Sequence, residues 1–306
     1  MTQTKQSDGL VRSAPRTLGD GLEVGPLAFG CWRFTSADLA ESQSLIEAAL
    51  EHGMNLIDTA DVYGLDFGGT GFGANEENLG RVLAAAPELR DRMVLATKGG
   101  ILPPVPYDQS PAYLRQACED SLRRLGVDVI DLYQIHRPDL FAHPADVAAT
   151  LTALRDEGKI RAVGVSNFTV AQTDALAAHL PFTLATVQPE YSVVHLDPMR
   201  DGTFDRAMQL GHVPLAWSPL GGGRVVTGEG VRPELLDLLD RLAEREGVDR
   251  AAVAMAFVLA HPSAPVVIVG SQRPERLAGA TAALGVHLDR NDCYDIIEAA
   301  EGVPLP

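Results

Sequence analysis

Short apolar runs alternate with longer amphipathic stretches along almost the whole chain. The apolar runs are Leu27–Trp32, Asn55–Asp58, Met93–Lys98, Val129–Gln134, Ala162–Val165, Ala185–Gln188, Val213–Trp217 and Val266–Val269. Most are apolar at consecutive positions, which predicts strands buried on both faces, as in a parallel sheet. Helical patterns fill the intervals: Asp38–His52, Glu76–Ala84, Pro111–Leu125, Pro144–Asp156, Val170–Ala178, Gly202–Gln209, Pro233–Glu246 with Arg250–Ala260, and Pro274–Leu284. Ser110 before Pro111 makes a good helix start, because Ser caps and Pro suits the first turn. Gly53, Gly126, Gly158 and Gly211 stand where helices should stop.

A strand-then-helix unit repeated eight times predicts an α/β protein, a single (β/α)8 TIM barrel, with a doubly wound open sheet as the alternative. The Arg16–Gly25 stretch, Gly-Asp-Gly between apolar flanks, predicts a hairpin over the N-terminal end of the barrel. The Arg290–Gly302 stretch reads as a final helix. Residues 1–15 are expected to form a mobile tail and residues 16–306 one barrel domain, since no shift in composition marks a linker.

Composition narrows the partners. The chain has 306 residues and a formal net charge of −16, with 41 acidic against 25 basic side chains. That balance argues against binding a nucleic-acid backbone. No apolar run approaches the roughly 20 residues needed to cross a membrane, and the first residues lack the apolar segment of a signal peptide. The three cysteines, Cys31, Cys118 and Cys293, are widely spaced and odd in number, which fits reduced cytoplasmic thiols better than a disulfide framework. No metal-ligand spacing is present. Lysine occurs only at Lys5, Lys98 and Lys159, so a lysine ending an apolar run stands out.

In barrels of this kind, reactive groups sit at the C-terminal ends of strands. The second run ends in Asp58, the third in Lys98, and His136 follows the fourth; Tyr63 lies five residues beyond Asp58. Singly, each has an ordinary role: a cap, a snorkelling cation, a packed ring. Together they place a carboxylate, an ammonium, an imidazole and a phenol on one rim. An ammonium beside a phenol favours the phenolate, so Lys98 is expected to lower the pKa of Tyr63. Asp58 would hold Lys98, and His136 would aim a carbonyl at Tyr63. This is a proton donor beside a polarised carbonyl, suited to reduction of aldehydes and ketones. Hydride must come from a cofactor, yet no GxGxxG opens a helix after a strand. The loops after strands seven and eight, Ser218-Pro219-Leu220-Gly221-Gly222-Gly223-Arg224 and Gly270-Ser271-Gln272-Arg273-Pro274-Glu275-Arg276, offer glycines and arginines where barrels frequently bind phosphate. They point to a 2′-phosphate and hence to NADP. Gly68–Gly73 reads as a surface loop beside the substrate mouth.

At this point the chain resembles the aldo-keto reductases from Arg16 to about Leu284. The matching motifs are LIDTADVYG (56–64), VLATKGG (94–100), LYQIHRPD (132–139), GKIRAVGVSNF (158–168), VQPEYS (187–192), AWSPLGGGR (216–224) and VGSQRPERL (269–277). Within that family it is similar to the bacterial YdhF-type oxidoreductases, which share GCWR (30–33), PFTLAT (181–186), DGT (201–203) and GGGR (221–224). The resemblance implies a monomeric barrel that binds NADP(H), or NAD(H), in extended form and takes a small-molecule carbonyl or alcohol substrate. It implies a catalytic tetrad of Asp58, Tyr63, Lys98 and His136, with Tyr63 the general acid. It implies that Ser166, Asn167 and Gln188 bond the nicotinamide carboxamide and that Trp217 stacks on the ring. Gly30, Cys31 and Trp32 would line the mouth near the nicotinamide ribose. Ser271 and Arg276, helped by Arg273, would meet the 2′-phosphate. The chain departs from the family at Gly279 and Ala280, where many members carry Glu-Asn near the adenine, and in its long glycine-rich connection between Tyr63 and Glu76. Two other readings stay open: a nicotinamide-binding regulatory subunit with little turnover, and a barrel isomerase or lyase using Lys98 as a Schiff base.

Overall fold

A computed structural model describes residues 9–305. Its centre is a closed barrel of eight parallel strands: β3 (Leu27–Gly30), β4 (Leu56–Asp58), β5 (Val94–Gly99), β8 (Ile130–Ile135), β9 (Ile160–Ser166), β10 (Thr186–Gln188), β11 (Val213–Ala216) and β12 (Val266–Val269), with β12 pairing back onto β3. Each of the eight apolar runs contributes one barrel strand, and the open doubly wound sheet is excluded. The outer layer holds α1 (Leu39–Glu51), α2 (Ala74–Ala85), α3 (Pro111–Leu125), α4 (Pro144–Asp156), α5 (Val170–Ala177), α6 (Thr203–Leu210), the short α7 (Arg224–Thr227), α8 (Pro233–Glu246), α9 (Arg250–Ala260), α10 (Pro274–Ala280) and α11 (Arg290–Glu301). Local chemistry sets their ends. The Ser110 hydroxyl accepts from the N–H of Tyr113, Pro111 opens α3, and Gly126 closes it in the left-handed region.

Two cores result. One lies between the barrel wall and the helices and takes residues such as Phe29, Ile57, Leu95 and Tyr133. The other fills the barrel interior with Ala28, Leu56, Val94, Ala96, Leu132, Ala162, Leu215 and Val266. The expected hairpin is present as β1 (Arg16–Leu18) paired with β2 (Leu22–Val24), and Leu18 and Val24 close the barrel floor. Of the segment expected to be a tail, residues 1–8 lie outside the described residues; Leu10 and Arg12 donate backbone N–H groups to Leu288 and Leu259.

Some details differ from the pattern. The run at Leu27–Trp32 leaves the strand after Gly30 and turns through a 3-10 segment, Cys31–Arg33. The pattern at Pro274–Leu284 is α-helical only to Ala280 and tightens into 3-10 beyond it. A two-stranded hairpin, β6 (Ile101–Leu102) with β7 (Val105–Tyr107), follows β5. Its strands are too short for a period, and Pro103-Pro104 at its turn lacks the glycine signal that marks the β1–β2 hairpin.

Candidate active site

The two-residue period of a strand decides which side chains meet at the top of the barrel. On β4, Leu56 points inward, so Asp58 does too. On β5, Val94 and Ala96 point inward, so Lys98 follows them. On β8, Leu132 is inward and Gln134 is next in phase. The register sets them level, with Asp58 opposite Ala96 and Lys98 opposite Gln134. The apolar interior is thus roofed by polar residues from neighbouring strands.

Lys98 is fully buried, and its ammonium donates to Asp58 Oδ2 at 2.7 Å, to the Thr59 carbonyl at 2.8 Å and to Tyr63 Oη at 3.2 Å. The other Asp58 oxygen accepts from Gln134 Nε2 and Gln188 Nε2, both at 3.1 Å. Every donor of the ammonium and both carboxylate oxygens are therefore engaged, which an ion pair this deep requires. Burial alone lowers the Lys98 pKa, but Asp58 and Tyr63 outweigh it and the net direction is upward. The lysine is held as a cation.

Tyr63 differs from expectation. Burial is the largest influence on its phenol and raises its pKa; Lys98 lowers it and Asp58 raises it again, for a net upward shift. Lys98 acts in the direction foreseen, but desolvation of a phenolate is the larger effect. The hydroxyl keeps its proton. The His136 ring meets Tyr63 edge to face, with centroids 5.6 Å apart. Burial, then Lys98 and Arg137, push the His136 pKa well below the usual histidine range, so the imidazole is neutral.

Most of the residues expected to hold a cofactor follow the neighbouring strands β9, β10, β11 and β12. The Ser166 hydroxyl donates to the Gln188 carbonyl at 3.0 Å, and Asn167 Nδ2 donates to the His136 carbonyl at 3.1 Å. Trp217 Nε1 donates to Asn167 Oδ1 at 3.1 Å, which fixes the indole at the rim. Asn167 and Ser218 both have positive φ, a conformation uncommon outside glycine that collects at ligand sites. Gly221, Gly222 and Gly223 follow, all with positive φ, and space is open beside Gly222. Arg224 binds its own loop at the Gly221 carbonyl. Gly270 and Ser271 follow β12, and the exposed Arg273 and Arg276 make no ion pair among the described residues. An open glycine backbone and two uncommitted guanidiniums fit a phosphorylated ligand. Of the trio at the mouth, Gly30 sits level with Asp58, Trp32 is exposed, and Cys31 is buried in the helix-side core with its thiol pKa pushed far up by burial. Gly279 is exposed and Ala280 buried, so neither offers a polar side chain.

The sequence profile of the Aldo/keto reductase family matches residues 26–301. The chain belongs to the aldo/keto reductase family. It is 51% identical to a 6-dehydroglucose reductase of Novosphingobium aromaticivorans over 98% of this chain and 100% of the relative. Oxidoreductase YdhF of Escherichia coli is 37% identical over 94% of this chain and 97% of its own length. An aldo/keto reductase from Klebsiella pneumoniae, solved in complex with NADP and acetate, superposes with a TM-score of 0.78 at 24% identity, covering 96% of this chain and 98% of that one. This aldo/keto reductase is thus an oxidoreductase on a (β/α)8 barrel, and no helix among its described residues is long and apolar enough to cross a membrane.

Several supporting residues were not singled out from the sequence. Gln134 shares the Asp58 carboxylate with Gln188. Asn75 Nδ2 donates to the carbonyls of Cys31 and Trp32, while the Asn75 N–H donates to the Tyr63 carbonyl, so one side chain links two loops of the mouth. Glu76 is buried behind β5, bonded to the Thr97 hydroxyl at 2.5 Å and to Arg124 at 2.7 Å. Gln134 was findable, being in phase with Leu132. Asn75 and Glu76 open a helix, and nothing in their spacing says that they turn inward.

Proposed function

We propose that this aldo/keto reductase reduces an aldehyde carried by a sugar, with NADP(H) as cofactor and Tyr63 as the general acid. The observation that carries the reading is the buried Lys98, ion-paired to Asp58 and donating to the Tyr63 hydroxyl at 3.2 Å. Such an arrangement keeps the phenol protonated at rest and offers a cation to the phenolate left after proton donation. Neutral His136, beside Tyr63, would hydrogen-bond the substrate carbonyl and orient it. NADPH would supply the hydride that reduces the carbonyl carbon. Ser166, Asn167 and Gln188 would hold the carboxamide, Trp217 the ring face, and Ser218, Pro219, Leu220, Gly221, Gly222 and Arg224 the pyrophosphate. Gly270, Ser271, Arg273 and Arg276 would receive the 2′-phosphate, which favours NADP(H) over NAD(H). The Tyr63 proton goes to the carbonyl oxygen, and the product is the alcohol; in the reverse direction Tyr63 accepts that proton.

The substrate reading follows the 6-dehydroglucose reductase relative: a hexose oxidised to an aldehyde at its sixth carbon is reduced to the hexose. Replacing Tyr63 by Phe removes the donor and leaves the ring. NADPH-linked reduction of 6-dehydroglucose by Tyr63→Phe is expected to fall at least about 100-fold in kcat/KM, with NADPH affinity by fluorescence titration unchanged. Retention of most of the activity would overturn the mechanism.

A further inference from the structure

The glycine-rich connection after Tyr63 carries an exposed aromatic ring that the chemistry above does not use. We infer that the rings of Trp32 and Phe67, with the Asp66 carboxylate and the Arg33 guanidinium, form a seat for the pyranose ring of the substrate, and so set its selectivity. The inference rests on the sugar-aldehyde reading and adds the residues that recognise the sugar.

Trp32 and Phe67 are 39% and 41% exposed, and their centroids lie 5.1 Å apart at an interplanar angle of 45°. They come from different loops and pack on each other at the surface. Trp32 Nε1 donates to Asp66 Oδ1 at 3.3 Å, which leaves Asp66 Oδ2 without a hydrogen-bond donor among the described residues. The Arg33 guanidinium lies over both rings, 5.4 Å from the Trp32 centroid and 4.9 Å from that of Phe67, and it also donates to the Gly222 carbonyl. The surface therefore joins two exposed rings, each with one face under the Arg33 guanidinium, to one anionic group at Asp66.

That combination matches a pyranose. One face of such a ring presents C–H groups, which favour the electron-rich face of an aromatic ring. Its edge presents hydroxyls, which donate to a carboxylate and accept from a guanidinium. A small aldehyde such as propanal has neither. The seat is tied to the segment that carries the proton donor: Phe67 follows Tyr63 by four residues, and Asn75 bonds both the Trp32 and Tyr63 backbones. The loop closes on itself, with the Gly71 N–H bonded to the Gly64 carbonyl and Gly69 packed so tightly that a Cβ would meet Gly64 Cα at 2.4 Å. Phe67 is thus presented by a compact loop, which reduces the ordering cost of binding.

The test compares 6-dehydroglucose with propanal, both with NADPH, for the wild type, Phe67→Ala and Asp66→Asn. Each variant is expected to lose about tenfold in kcat/KM for the sugar and to change by less than about twofold for propanal. Methyl α-D-glucopyranoside, which has no aldehyde, is titrated in parallel against tryptophan fluorescence of the NADP+ complex; saturable quenching is expected in the wild type and weaker binding in Phe67→Ala. Equal losses on both substrates, or no saturable glycoside binding to the wild type, would overturn the seat. If the wild type failed to reduce 6-dehydroglucose, the sugar-aldehyde reading would fall, and the glycoside titration alone would decide the seat.

Discussion

Burial and nearby charge compete at each group of this site, and the winner differs from one residue to the next. Lys98 carries a charge at full burial because Asp58, Thr59 and Tyr63 take its donors. Tyr63 keeps its proton because desolvation outweighs the nearby ammonium. Asp61, next to the tetrad, shows the opposite case. It is fully buried and makes no ion pair among the described residues; burial first, then Glu76, raise its pKa well above the usual carboxylate range, against Arg124 and Lys98. The unfolded chain releases this proton near pH 4, whereas the native state retains it. The group's contribution to stability is therefore full below about pH 4 and is lost as pH rises through its raised native value. Asp61→Asn removes that loss. Its unfolding free energy relative to wild type, from urea titrations between about pH 4 and 8, is expected to improve as pH rises; a difference independent of pH would contradict the assignment.

At the scale of elements, the loops and helices around the mouth are held by close backbone approaches. Gly80 on α2 is the clearest example, since a Cβ there would lie 2.1 Å from the carbonyl oxygen of Arg124 at the end of α3. Alanine in a helix interior ordinarily gains about 1 kcal/mol over glycine. Here the contact is with backbone, so α2 and α3 must separate, at a cost of about 1–3 kcal/mol. Gly80→Ala is therefore expected to lower the Tm, and a raised Tm in a thermal melt would show that the helices can give way. Arg124 also bonds Glu76, which bonds Thr97 beside Lys98, so a shift of α3 should reach the tetrad. Element types and order were legible in the sequence because eight apolar runs and their helical intervals are long enough to show a period. The β6–β7 hairpin and the end of α10 were not, because the hairpin has neither an apolar run nor a glycine turn to mark it and a helix tightening to 3-10 keeps the same apolar face. Within the site, Asp58, Lys98 and His136 stood out as polar residues ending apolar runs. Asn75 and Glu76 did not, since only the folding of the 64–73 loop turns the start of α2 inward.

For the whole molecule, the net charge of −16 opposes an anionic ligand at long range. Arg273 and Arg276 counter it locally, exposed after β12 and without ion pairs among the described residues. Replacing both by Ala is expected to weaken NADPH binding by about tenfold or more, in line with the loss of charge-assisted bonds, and to leave NADH binding nearly unchanged. Equal effects on the two nucleotides, measured by fluorescence titration, would move the 2′-phosphate site elsewhere. By itself, the sequence determined the strand–helix alternation, the floor hairpin and the polar residues at the strand ends, because local periodicity and capping write these along the chain, while closure of the sheet into a barrel rather than an open doubly wound sheet was settled by the pairing of β12 with β3. Only the tertiary structure decided the protonation of Tyr63, the sharing of Asp58 between Gln134 and Gln188, and the joining of Trp32 to Phe67. Those depend on desolvation and on contacts between residues far apart in sequence, which exist only once the barrel has closed.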